Sequence, residues 1–152
     1  MVSNTALGAP YLTEHPQHAI SISHTNNQGF AALSFNGPIG LDVDQIIPRP
    51  ISFVRHCFTV HEQRQATTAH ATTAIWCAKE AVSKLIGIGL RIATTDIEIT
   101  MCSPFRANVT LHNRLERYTH LDIAVKFSYR DHLCFALAHI KRKECIHLRQ
   151  IG

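Results

Sequence analysis

The residues that could do chemistry lie in a few short stretches. Asp42 and Asp44 are two apart in Leu41-Asp42-Val43-Asp44. On a strand, the period of two puts both carboxylates on one face, about 7 Å apart at the backbone, and turns Leu41 and Val43 toward the core. Two acids on one face repel unless solvent or a cation separates them. A hard divalent ion such as Mg²⁺ suits them, because it takes oxygen ligands and keeps positions open for a substrate phosphate. A bare D-x-D is also a common pattern, and it equally describes an exposed strand end with two solvated acids. Glu80 and Lys84 are four apart on a helix. In that order they form a favourable surface pair worth a few tenths of a kcal/mol, or a third metal carboxylate with a cation one turn on, aimed at a phosphate. Ser23-His24 is a lone Ser-His step with no triad, so His24 reads as a turn residue or an anion contact. Lys141-Arg142-Lys143 reads as a solvated basic run. His15 with His18, and Cys57 with His61, complete no tetrahedral zinc site.

These side chains need elements to position them. Ala19 to Ser23 alternates apolar and polar residues, as a half-buried strand does. His24 to Gly29 is a turn cluster, and Phe30–Phe35 and Ile39–Val43 read as further strands, so the front of the chain is expected to be an antiparallel meander. Residues 1–18 read as a loop extension, leaving 19–152 as one domain. Helices are expected over Ile51–Phe58, from Val60 to Gln65, and over Thr72 to about Gly87. The last carries Ile75, Ala78, Val82, Leu85 and Ile86 at helical spacing and is stopped by Gly87 and Gly89. Strands follow at Ile97–Ile99, Ala107–Leu111, Leu121–Tyr129 and Leu133–Ile140, with a hairpin turn at Arg130-Asp131-His132. Strands, then helices, then strands imply an α+β fold.

The 152 residues suit one domain with a core of its own. An apolar fraction of 45% with 17% charged residues excludes a mostly disordered chain. No apolar run is long enough to span a membrane. Five widely spaced cysteines with no C-x-x-C read as reduced thiols in a cytoplasmic protein. No Lys or Arg precedes Arg49, unlike the basic start of a secretory signal. The net charge of +4 is uneven: three Arg face four acids over residues 1–76, and twelve Lys and Arg face seven acids thereafter. The basic second half suits an anionic partner. A nucleic acid is the weakest choice, because aromatic residues that could stack on bases do not interleave the cations.

Taken in order, these stretches resemble a family. Ile20-Ser21-Ile22-Ser23-His24-Thr25, Ile39-Gly40-Leu41-Asp42-Val43-Asp44, Phe58 with Glu62, Trp76 to Lys84, and Gly87-Ile88-Gly89-Leu90 resemble the phosphopantetheinyl transferases. Those enzymes carry an S-H-S/T step, a G-I/V-D-x-E/D strand, an F-x-x-x-E segment and a W/F-x-x-K-E-A/S-x-x-K helix followed by G-x-G-L. The resemblance implies that fold, an antiparallel sheet packed on one long helix. It also implies transfer of the phosphopantetheine arm of coenzyme A to a serine of an acyl or peptidyl carrier protein, with adenosine 3′,5′-bisphosphate leaving.

By the same resemblance, Asp42, Asp44 and Glu80 are the expected Mg²⁺ ligands. Lys79 and Lys84 are expected at the coenzyme A phosphates, and Ser23 and His24 at its nucleotide end. Glu80, or a water held by it, would take the serine proton, and Lys84 would balance the departing phosphate. The chain carries Gly8-Ala9-Pro10 where the long members of the family often have Gly-Lys-Pro. With one copy of the motifs it is expected to form a homo-oligomer, using Arg91, Arg106 or Arg114 of a neighbour. The alternative is a non-catalytic module that binds coenzyme A or a carrier protein.

Overall fold

Paired left-handed residues close two of the hairpins. Asn26 and Asn27 have φ of 49° and 60°, and Asp131 and His132 have φ of 52° and 65°. Two positive φ values in a two-residue loop match the right-handed twist of the flanking strands, and Asn and Asp tolerate them best. The computed structural model describes residues 1–89 and 91–141. Leu90 of the glycine step, Arg142 and Lys143 of the basic run, and Cys145 lie outside the described residues.

The strands are β1 (Val2–Asn4), β2 (Pro10–Leu12), β3 (Ala19–Thr25), β4 (Gln28–Ser34), β5 (Ile39–Gln45), β6 (Ile97–Ser103), β7 (Arg106–Leu111), β8 (Ile123–Arg130) and β9 (Leu133–Ile140). The helices are α1 (Ile51–Cys57), α2 (Val60–Gln65) and α3 (Ala69–Ile86), with 3₁₀ turns at Thr94–Asp96 and Asn113–Leu121. One antiparallel sheet runs in the order β5-β9-β8-β7-β6, and β1-β2 and β3-β4 are separate hairpins. The mixed α/β fold, with an antiparallel sheet and one long helix, is the one expected.

Two expectations at the front of the chain are corrected. Residues 1–18 are not all loop, because Val2, Ser3 and Asn4 pair with Leu12, Tyr11 and Pro10. Three-residue strands are too short for alternation to reveal them. The meander also fails, since β5 leaves the β3-β4 hairpin and pairs with β9 instead. The hairpin folds over the other face of β5. There Leu41, Val43 and Leu133 form a small core with Phe30, Ala32 and Phe135. Period two explains the split: Leu41 and Val43 serve this core, while Gly40 and Asp42 face α3.

Helix α3 is buried more widely than an apolar stripe would be. Ala74, Ile75, Cys77, Ala78, Ala81 and Val82 are fully buried. The sheet covers one side. On another, Phe53 of α1 meets Trp76 edge to face, with ring centroids 4.9 Å apart. Thr68 caps the start by accepting from the Ala71 N–H at 3.1 Å. Gly87 ends the helix at φ 80°, a left-handed position that costs glycine little. Cys57, Cys77 and Cys134 are buried thiols, and Cys102 is an exposed one. No helix among the described residues is long and apolar enough to cross a membrane.

The closest packing is between α3 and β5. A Cβ on Gly40 would stand 1.8 Å from the Ala81 carbonyl oxygen. No rotamer relieves that, because the Cβ position is fixed by the backbone and the oxygen belongs to it. Gly40→Ala is therefore expected to destabilise the fold by about 3 kcal/mol, read from the urea midpoint. A midpoint within error of the parent would show that helix and strand separate easily.

Candidate active site

The site is built where β5 runs under the C-terminal half of α3. Asp42 lies opposite Ala136 of β9 in the ladder and is 9% exposed. Its Oδ1 accepts from Lys84 Nζ at 2.9 Å and from the Ser23 hydroxyl at 3.2 Å. Lys84 Nζ also donates to the Leu41 carbonyl at 2.9 Å. Lys84 is thus not the surface partner of Glu80 that spacing alone allows. It crosses from helix to strand and ties the two together.

Glu80 completes the group. Burial pushes its carboxyl pKa upward first, the negative charge of Asp42 second and that of Asp44 later, while Lys84 pulls it down. The charges of both strand acids thus reach Glu80. The three acids do not form a closed cage. Among the described residues, no three His, Cys, Asp or Glu side chains lie close enough to hold a metal ion. Asp44 is engaged elsewhere: its Oδ2 is ion-paired with Arg49 and its Oδ1 accepts from the Gln45 N–H at 2.8 Å. The Arg49 guanidinium also stacks over Phe53, 5.0 Å from the ring centroid. The oxygen-only donors Asp42, buried, and Glu80, half-buried, fit a hard divalent cation such as Mg²⁺.

Lys79 requires a correction. The reading from family resemblance puts it at a phosphate, but its side chain is 1% exposed and its Nζ stands 2.7 Å from Glu62 Oε2. The Nζ also donates to the Thr94 carbonyl at 2.8 Å and to that of Ile97. Glu62 is fully buried. It accepts from the Ile99 N–H at 2.7 Å and the Thr59 N–H at 2.8 Å, the latter within a capping box. Burial lowers the Lys79 pKa and Glu62 opposes that shift. The pair joins α2, α3 and β6 in the core.

Ser23 and His24 part company. Ser23 is 4% exposed, and its hydroxyl is spent inside the protein. His24 is exposed and its ring lies over Gly29, across the β3-β4 hairpin. A cleft of about 420 Å³ opens beside Lys84, walled by Leu7, Tyr11, His18, Ile20 and Pro38 among others, with no acid in its lining. The N-terminal hairpin thus supplies a wall that was read as loop. Arg49 and Ser21 were also missed. Their only signals were a lone cation five residues after Asp44 and a second serine in period with Ser23. Arg91, Arg106 and Arg114 are exposed.

The model of the 4′-phosphopantetheinyl transferase superfamily matches residues 38–137, from the start of β5 into β9. The chain belongs to that superfamily. No curated protein sequence matches it. Among solved structures it is similar to a Helicobacter pylori holo-[acyl-carrier-protein] synthase in complex with coenzyme A, with a TM-score of 0.58 at 18% identity over 68% of this chain and 99% of that one. It is also similar to a Mycobacterium tuberculosis acyl carrier protein synthase, with a TM-score of 0.50 at 27% identity over 66% and 93%. A Neisseria meningitidis holo-[acyl-carrier-protein] synthase gives 0.57 at 15% over 69% and 98%. The superfamily match holds Asp42, Asp44, Glu80 and Lys84 but stops short of the β1-β2 and β3-β4 hairpins.

Two outcomes are expected from this geometry. Lys79→Met leaves Glu62 charged and buried, so it should cost about 3–5 kcal/mol of stability without changing coenzyme A affinity per folded molecule. Lost affinity at unchanged stability would return Lys79 to the ligand set. For Glu80, the folded carboxyl titrates above its ordinary value of 4.5, so the native state holds the proton to higher pH than the unfolded chain. Stability must then fall as pH rises through that interval. Glu80→Gln should match the parent in acid and exceed it once the parent carboxyl is ionised, in urea titrations from about pH 4 to about pH 8. A difference that does not change with pH would mean that Glu80 is not perturbed.

Proposed function

We propose that this superfamily member transfers the 4′-phosphopantetheine arm of coenzyme A to a serine of an acyl or peptidyl carrier protein and releases adenosine 3′,5′-bisphosphate. One observation carries the reading: Lys84 of α3 is bonded to Asp42 of β5 where helix and strand cross, with Glu80 one turn before Lys84 and sensitive to both charges, within the residues matched to the superfamily. The coenzyme A complex of the Helicobacter pylori synthase supports the choice of donor.

In this reading coenzyme A lies in the cleft beside Lys84, and Asp42 and Glu80 hold Mg²⁺. When bound, the ion would neutralise charge on the pyrophosphate oxygens. Asp44 can join only when the Arg49 pair opens. Lys84 has one ammonium hydrogen left after its bonds to Leu41 and Asp42, enough to meet a phosphate oxygen as charge builds on it. Glu80, with its carboxyl raised, is a better proton acceptor than an ordinary glutamate. It takes the proton of the carrier serine directly or through a water. The exposed imidazole of His24 is the remaining contact offered to the nucleotide end. A second copy of the chain would bring the exposed Arg91, Arg106 or Arg114 to the nucleotide phosphate, so we expect a homo-oligomer.

A second reading, a binder of coenzyme A or carrier protein without turnover, is favoured by the Arg49 pair that occupies Asp44. Incubation with coenzyme A, Mg²⁺ and a panel of apo carrier proteins separates the two. Transfer adds the mass of one phosphopantetheine arm to a carrier, whereas a binder changes no mass. Asp42→Ala should abolish the gain in a folded protein, and Lys84→Ala should cut turnover by about 10²–10³. Near-normal transfer by either variant would remove that residue from the reaction.

A further inference from the structure

Strand β5 is an edge strand, with β9 on one side only. On its other edge the N–H groups of Leu41 and Val43 have no ladder partner. Two serine hydroxyls of β3 take them instead: Ser21 Oγ accepts from Leu41 at 2.8 Å and Ser23 Oγ accepts from Val43 at 3.0 Å. The serines are two apart, so they share one face of β3, and they are 3% and 4% exposed. As edge caps they are chemically alike. They differ in one bond: Ser23 donates onward to Asp42 Oδ1 at 3.2 Å.

We propose that Ser23 is a positioning residue that orients the Asp42 carboxylate and keeps its Oδ2 available to a cation. Oδ1 is filled by Ser23 and Lys84, while no described residue bonds to Oδ2. Lys84 alone would not hold this orientation. Its ammonium, also bonded to the Leu41 carbonyl, sits at the end of a flexible stem and can donate to either carboxylate oxygen. The Ser23 hydroxyl lacks that freedom, because the Val43 N–H pins its oxygen. This role replaces the nucleotide contact expected of Ser23, and it rests on the Mg²⁺ reading above. Loss of a hydrogen-bond partner behind a metal ligand weakens metal binding by about ten- to a hundredfold.

Ser21 provides the control, since Ser21→Ala removes the same kind of edge bond without touching Asp42. The probe is Mn²⁺ alone, its free concentration read by electron paramagnetic resonance, on the full chain without coenzyme A. Each variant is also melted in urea. Ser21→Ala and Ser23→Ala should lose similar stability. Only Ser23→Ala should bind Mn²⁺ at least about tenfold more weakly, and Ser23→Thr, which keeps a hydroxyl, should restore binding. Equal Mn²⁺ affinity in the two alanine variants overturns the proposal. A parent protein that binds no Mn²⁺ overturns the metal reading itself, and this role with it.

Discussion

Everything at the site depends on how closely α3 approaches β5. The approach is possible because Gly40 has no side chain and because Ala78 and Ala81 are fully buried. A methyl group at position 40 would stand 1.8 Å from a helix carbonyl. At this separation Lys84 reaches both the Leu41 carbonyl and Asp42. Small residues thus bring the charged side chains of helix and strand within bonding distance.

A second constraint sets the rotation of the helix. Lys79 and Glu80 are neighbours, so they point about 100° apart on the helix. The buried ion pair with Glu62 draws Lys79 inward, and Glu80 is then carried toward Asp42, with Lys84 one turn further on. A buried pair of this kind adds little net stability, because desolvation consumes most of the attraction. Here it agrees with the apolar stripe of α3, on which Lys79 lies between Ile75 and Val82. The serine caps act similarly on β5. They satisfy the free N–H groups of a buried strand edge, and one of them also bonds a carboxylate.

Period-two and helical spacing made much of this legible. The strands β3 to β5 and β7 to β9 and helix α3 stand within a few residues of where alternation puts them. Asp42 and Lys84 do come together. The failures share a cause, which is that a partner decides the role and the partner is distant in the chain. Lys79 falls on the apolar stripe of α3, four residues after Ile75 and three before Val82, but the family motif puts it at a phosphate, and its partner is the buried carboxylate of Glu62, 17 residues earlier. Asp44 reads as the twin of Asp42, but Arg49 reaches it from the loop after the strand. Ser23 reads as a ligand contact, whereas the edge of β5 claims its hydroxyl. The β1-β2 hairpin lacks the length for any periodic signal.

The most direct measurement is a crystal structure of the protein with coenzyme A and Mn²⁺, using the anomalous signal to locate the metal. The expected result is one peak within bonding distance of Asp42 and Glu80, with the pyrophosphate against it and Lys84 on a phosphate oxygen. Coenzyme A or Mn²⁺ bound away from the crossing of β5 and α3 would contradict the central claim.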